Sequence, residues 1–261
     1  MNNVNKTLYI PLYGKAYVSR RGIILSDPRA EEIWAAEGFD LKGKSRSKWL
    51  AYYMGMRSAV FDRWVASCIR EEPEAVVLHI GCGLDSRCER VTEKAKIWYD
   101  VDFPEVIGER SRFFPARDSY RLIGADARDP KWLAQIPGEG TAVVVMEGVS
   151  MYLEPAELTA LLKRLKEHFA RVRILMDCYT EFAAKASRYK NPINDVGVTR
   201  VFGLDDPRPV AENAGLRLLG QREMTPGELI AQLPAGQQKI FRLFYAGAVA
   251  NSMYRLYELE S

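Results

Sequence analysis

The sequence predicts an α/β fold in which a doubly wound, mostly parallel, seven-stranded sheet of the Rossmann-like type carries an N-terminal helical annex and a cover region before the last strands. Three observations predict it. The apolar, β-branched run Val76-Val77-Leu78-His79-Ile80 ends abruptly at Gly81-Cys82-Gly83 and passes into a polar stretch, as a buried parallel strand does when it turns sharply into a helix. Short apolar runs then alternate with helical-period stretches as far as residue 180, the pattern of a parallel sheet with crossover helices. Finally, the strand candidates end on acids or glycines, and open α/β folds place their sites at that carboxyl edge.

Taken in order, residues 1–72 form the helical annex. Asp27-Pro28 sets an N-cap aspartate before a proline at the first helical position, opening a helix with Ala30, Ile33 and Trp34. Residues 49–69 carry Met54, Val60, Phe61, Trp64, Val65 and Ile69 near helical spacing, interrupted by Arg57 and Asp62. Read alone, those two are solvated charges.

The core, 74–180, begins with strand Val76–Ile80 and a helix over 86–94. A second strand over 97–101 is closed by Asp102-Phe103-Pro104, and Pro104 opens a helix reaching Phe114. Tyr120–Gly124 is a third strand with Asp126 just beyond it; Thr141–Met146, too rich in valine for an exposed edge, is a fourth and ends at Glu147-Gly148. Pro155 starts an amphipathic helix through Leu158, Leu161, Leu162, Leu165 and Phe169, and a fifth strand over 172–176 closes with Asp177.

Residues 181–261 supply the cover and the last strands. The polar, proline-punctuated stretch 178–208 reads as a loop-rich cover, 216–224 as a sixth strand, and 253–259 as a final antiparallel strand. Between them, 237–250 places Ile240, Phe241, Phe244, Tyr245 and Ala248 on one helical face. The whole is read as one domain.

Composition bounds the function. At 261 residues, with 48% hydrophobic and 27% charged residues, the chain can bury a proper core. A net charge of +3 without a long basic block does not suggest nucleic acid. No apolar run approaches the ~20 residues of a membrane span, and residues 1–6 lack the apolar region of a signal peptide. Cys68, Cys82, Cys88 and Cys178 have neither metal-ligand nor disulfide spacing, so reduced thiols, a cytoplasmic location and no metal are expected.

Two ligands compete for the glycine turn: a nicotinamide or flavin dinucleotide, and S-adenosylmethionine. Both want an acid after the second strand for ribose hydroxyls, and Asp102 serves either. A dinucleotide fingerprint wants a third glycine where this chain has Ser86, and Asp85 at the helix entrance would repel a pyrophosphate. The same carboxylate suits a ligand with ammonium and sulfonium charge, although a plain helix cap explains Asp85 equally well. Asp126 and Glu147 extend a rim of acceptors suited to an adenine amino group and ribose hydroxyls.

At these residues a family resemblance appears. Val77-Leu78-His79-Ile80-Gly81-Cys82-Gly83-Leu84-Asp85-Ser86-Arg87 resembles the first motif of the leucine carboxyl methyltransferase family, which includes polyketide O-methyltransferases of the tetracenomycin type. Trp98-Tyr99-Asp100-Val101-Asp102-Phe103-Pro104-Glu105-Val106-Ile107 is similar to the second. Ile123-Gly124-Ala125-Asp126-Ala127-Arg128-Asp129 and Glu147-Gly148-Val149-Ser150-Met151-Tyr152-Leu153 resemble the third and fourth. The resemblance covers roughly residues 8 to 180 and loosens after Asp177.

It implies a class I methyltransferase using S-adenosyl-L-methionine and releasing S-adenosyl-L-homocysteine. Gly81 would lie under the methionine part, with Gly83 also among the cofactor-binding residues. Asp102 would take the ribose hydroxyls, Asp126 the adenine amino group, and the Ala127 amide an adenine ring nitrogen. Glu147, followed by Gly148, would approach the sulfonium end through its backbone carbonyl. Arg57 and Lys15 match cations at the cofactor's carboxylate, a pairing that a guanidinium makes with two oxygens at once. A structural salt bridge from Arg57 to Asp62 or Asp85 is the alternative, and Arg87 reads as a brace for the turn.

The resemblance further implies O-methylation of a small aromatic or polyketide-like acceptor by in-line displacement. A carboxylate acceptor needs no general base, whereas a hydroxyl gains from one. Neither His79, inside a strand, nor His168, on a charged helix face, makes a convincing base; Asp177, Tyr152, Tyr179 and Glu181 are the substitutes. Two rival classes remain at this stage, an NAD(P)-linked Rossmann oxidoreductase and a non-catalytic S-adenosylmethionine-binding protein. Acceptor, oligomeric state and pathway are not legible.

Overall fold

A computed structural model describes residues 5–37, 41, 43–187 and 200–261. A short turn of helix, Asn5–Leu8, leads into α1 (Tyr9–Ser19), followed by α2 (Pro28–Glu37) and α3 (Lys48–Glu71). The Asp27 carboxylate caps α2 by accepting from the Ala30 amide at 2.9 Å, as the Asp-Pro pair predicts. Next come β1 (Val76–Ile80), α4 (Arg87–Arg90), β2 (Trp98–Asp102), α5 (Pro104–Arg110), β3 (Tyr120–Gly124) and β4 (Thr141–Met146). The chain continues through α6 (Pro155–His168), β5 (Arg171–Tyr179), α7 (Glu181–Ala186) and α8 (Arg208–Asn213). It closes with β6 (Arg217–Arg222), α9 (Gly227–Ile230), α10 (Ala235–Tyr245), α11 (Gly247–Met253) and β7 (Tyr254–Glu260).

The strands form one seven-stranded sheet in the order β3-β2-β1-β4-β5-β7-β6. The first five are parallel, with Val77 beside Trp98 on one flank and Val143 on the other. β7 runs antiparallel between β5 and β6. Side-chain alternation splits the core between two faces. Val143 and Val145 pack with the helical annex, while Val144 and Met146 pack with the leucines of α6. Both faces of β1 are therefore covered, which is why its five residues read as a continuous apolar run.

Three expectations need correction. The helix read over 86–94 is only α4, because Arg87 and Arg90 turn inward to buried acids and Val91 takes an extended conformation. Asp177 does not close β5. It lies inside a strand that pairing with β7 prolongs to Tyr179, opposite Tyr254. The stretch 237–250 is two helices, broken at extended Ala246. Only Phe241 on its apolar face is fully buried, whereas Ile240 and Phe244 are 43% and 59% exposed. Of the expected cover, residues 188–199 lie outside the described residues.

Among the described residues, no helix is long and apolar enough to cross a membrane.

Candidate functional site

A cleft of about 710 Å³ runs along the carboxyl edge of the sheet, from the ends of β2 and β3 to the junction of β5 and β7. All nine residues singled out from the sequence line it: Lys15, Arg57, Gly81, Gly83, Asp102, Asp126, Ala127, Glu147 and Gly148. They converge because parallel strands end at one edge, so residues far apart in the chain become neighbours there.

The glycine turn is shaped for close approach. Gly81 has φ +68°, and a Cβ there would lie 2.2 Å from Cγ2 of Val149. No other residue fits that backbone and that contact. Beyond it, the Gly83 amide donates to Oδ2 of Asp102 at 2.8 Å, and the Phe103 amide donates to Oδ1 at 2.7 Å. Burial pushes the Asp102 carboxyl up to about 6, against the pull of those two amides and of Arg110.

At the end of β3 the Asp126 carboxylate accepts from the Arg128 amide at 2.9 Å and from its guanidinium, whose hydrogen bonds hold that carboxyl below its usual range. Its oxygens are thus partly committed. The Ala127 carbonyl accepts from Arg164 at 3.2 Å, but the Ala127 N–H has no acceptor among the described residues. An orphaned donor at the rim invites a ligand acceptor.

Beneath the middle of the cleft the charged residues pair with one another. Arg57 donates from Nε to Glu147 at 2.9 Å and from Nη1 to Asp177 at 2.8 Å. Arg87, fully buried, donates to Glu147 and Asp62, and from Nη1 to Nε2 of His79 at 3.0 Å. Burial opposes the charge on Glu147, yet Arg57 and Arg87 hold its carboxyl down at about 2. Asp85 accepts from the Arg87 amide at the start of α4 at 2.7 Å, pairs with Arg90 at 3.0 Å and accepts from Lys15.

These contacts settle several alternatives. The salt-bridge partners of Arg57 are Glu147 and Asp177, not Asp62 or Asp85. The carboxylate of Glu147 is not a free rim acceptor, since two guanidiniums and Ser58 consume it. Arg87 is fully buried and spends its guanidinium on Glu147, Asp62 and His79 rather than on the glycine turn. Nη2 of Arg57 is different: it has no partner among the described residues and sits beside Gly148, where a Cβ would lie 3.7 Å from it.

The opposite end of the cleft is built from Tyr53, Tyr152, Tyr179 and Tyr254. Tyr179 and Tyr254 meet edge-to-face with centroids 4.3 Å apart, and Tyr53 lies 6.1 Å from Tyr254. The Tyr53 hydroxyl is buried without a hydrogen-bond partner among the described residues. Burial pushes the phenols of Tyr53, Tyr152 and Tyr254 up, so they stay protonated. Phe244 and Val249, 59% and 45% exposed, form an apolar lip at the mouth.

Of the substitute bases, Asp177 is fully buried behind the wall, and Glu181 is exposed and paired with Lys185. His79 is buried; burial lowers its pKa, and accepting from Arg87 makes it the neutral Nδ1–H tautomer facing Asp100 at 3.5 Å. His168 faces the Ile136 carbonyl at 2.8 Å, away from the cleft.

Sequence reasoning passed over Tyr53, Tyr254, Asp100 and Arg110. Tyr53 carried a signal, since it precedes Arg57 by one helical turn on the same face. Asp100 did too, because a charge inside a buried strand requires a partner.

The chain matches the model of the leucine carboxyl methyltransferase family over residues 10–166. It is 30% identical over 256 residues to the tetracenomycin polyketide synthesis O-methyltransferase TcmP of Streptomyces glaucescens, covering 94% of this chain and 95% of that one. It is 24% identical over 231 residues to an S-adenosyl-L-methionine-dependent methyltransferase of Gibberella zeae, covering 80% and 78%. Among solved structures, magnesium protoporphyrin IX methyltransferase from Synechocystis with bound S-adenosylhomocysteine shares the fold, with a TM-score of 0.51 and 14% identity over 89% of this chain and 93% of that one.

Proposed function

This chain belongs to the leucine carboxyl methyltransferase family and is an S-adenosyl-L-methionine-dependent methyltransferase, and from that premise we propose that it methylates an oxygen of a small aromatic, polyketide-like acceptor, a carboxylate or an acidic hydroxyl. The observation that carries this reading is the chemistry of the tyrosine end: apolar walls, protonated phenols and, among the described residues, no side chain poised to take a proton. Such a pocket suits an acceptor that arrives already ionised, for which no general base is required. The name of the Streptomyces relative supports the aromatic, polyketide-like class.

Several features of this chain suit the cofactor. The cradle at Gly81, the orphaned Ala127 amide and the Asp102 carboxylate match a methionine chain, an adenine ring nitrogen and a pair of ribose hydroxyls, respectively. Asp126 keeps lone-pair capacity for an adenine amino group while bound to Arg128. Nη2 of Arg57 and the Lys15 ammonium, shared with Asp85, are the cations for the amino-acid carboxylate. The Glu147 backbone carbonyl and Gly148 border the reacting end. When bound, S-adenosylmethionine supplies an electrophilic methyl group that is displaced in line from sulfur. The chain's own task is to hold the acceptor oxygen about 3 Å from that carbon and keep water out. The tyrosine hydroxyls orient the acceptor, and the annex covers the cleft through Leu8 and Pro11.

Radiolabelled methyl transfer from S-adenosylmethionine into a cell extract, followed by product identification, tests the reading. A labelled small-molecule ester or ether is expected. Label confined to protein, to nitrogen or to sulfur, or no label anywhere, refutes it; tight cofactor binding without transfer would make the chain a binding protein.

A further inference from the structure

Gly83 is gripped from both sides. Its N–H reaches Asp102, and its carbonyl accepts from Nη1 of Arg110 at 3.0 Å. Arg110 ends α5 and is fully buried, with Nε 2.9 Å from Oδ2 of Asp100 and 3.0 Å from the Tyr120 hydroxyl. Asp100 also accepts from Nε1 of Trp98 at 2.9 Å and from Tyr120. The guanidinium therefore has its direction set by two neighbours, Asp100 and Tyr120, before it meets the turn. We propose that Arg110 is a positioning residue for the nucleoside: it holds the Gly83 peptide so that Asp102 faces the ribose as a charged, oriented carboxylate. This rests on the assignment of Asp102 to the ribose made above.

The groups facing Asp102 are few. On its own strand lies Asp100, on the glycine turn Cys82, and on α5 Arg110; Asp126, beyond β3, is paired with Arg128. Burial keeps the Cys82 thiol neutral, and Asp100 opposes ionisation of Asp102. Arg110 is the cation that favours it. Removing an opposite charge at this range raises a carboxyl by about one unit or more. A purely structural Arg110–Asp100 pair would set stability and leave that titration alone.

The experiment is calorimetric titration with S-adenosylhomocysteine between pH 5 and 8.5, with folding checked by circular dichroism. For the native chain, affinity falls ~tenfold per pH unit below a midpoint at about 6. In Arg110→Met, which keeps Asp100, the midpoint rises by about one unit. In Arg110→Met/Asp100→Asn, which removes the opposing charge as well, it rises by less. In both, affinity at pH 8 falls about tenfold because the Gly83 carbonyl is no longer held. Arg110→Lys keeps the charge and loses the fork, so the midpoint stays while affinity drops several-fold. A folded double variant with native affinity overturns the proposal, as does a folded Arg110→Met with native midpoint, or native affinity in Arg110→Lys should neither of the others fold. Asp102→Ala separates the two readings. Native binding there sinks the ribose assignment itself; lost binding there with native Arg110 variants sinks only the role of Arg110.

Discussion

The two ends of the cleft are built on opposite plans. At the glycine-turn end most buried charges are already matched, Lys15 to Asp85, Arg57 and Arg87 to Glu147, and Arg110 to Asp100. Asp102 is held by two amides, and the groups without a partner among the described residues are an amide and one guanidinium nitrogen. At the tyrosine end the wall is aromatic and apolar, and a buried hydroxyl has no partner among the described residues. A ligand of fixed structure can be met by a rigid, pre-paired frame, in which buried charges orient backbone and no reorganisation is needed on binding. A pocket for a variable acceptor is better lined with rings and a few hydroxyl donors.

The largest effect should come from breaking the paired end. Glu147→Ala leaves two buried guanidiniums without their shared carboxylate and should destabilise the chain by about 3–5 kcal/mol, read by urea unfolding. A loss under 1 kcal/mol would mean that the frame is not pre-paired in the way described. Next, Asp102→Ala should weaken S-adenosylhomocysteine binding about 10- to 100-fold without comparable destabilisation. The carboxyl is raised from 3.8 to about 6 in the folded chain, so its contribution to stability is full below pH ~4 and is lost as pH rises through 6. Asp102→Asn should abolish that decline, and an unchanged stability–pH curve between 4 and 7 would contradict it.

Smaller effects sharpen the other side. Tyr53→Phe removes a hydroxyl that lacks a partner among the described residues, so unfolding should show no loss of stability and a gain of up to about 1 kcal/mol, while acceptor KM rises several-fold and cofactor affinity holds. A fall in cofactor affinity would assign Tyr53 to the wrong end. Smallest of all, Phe244→Ser on the exposed lip should change stability by no more than about 0.5 kcal/mol. Its effect should be confined to acceptor KM, and a native KM would detach the lip from the acceptor.

How much of this was legible differs by end. Asp102, Ala127 and Gly148 reach the cleft because each ends or closely follows a strand, and a strand's end is visible as the point where an apolar run stops. The cover was legible only in outline. Its helical face at Ile240 and Phe244 splits at Ala246, and those side chains are exposed although their spacing reads as core.

The sequence by itself determined the sheet, its carboxyl edge and the list of residues along it. A parallel strand covered on both faces must be apolar throughout, and its exit must be polar or glycine. Only the tertiary structure decided which charges are spent on each other. Arg57 finds its acids 90 and 120 residues away, and spacing along a chain carries no signal for such pairs. The tyrosine pocket is of the same kind, for a cavity exists only between elements that folding has brought together.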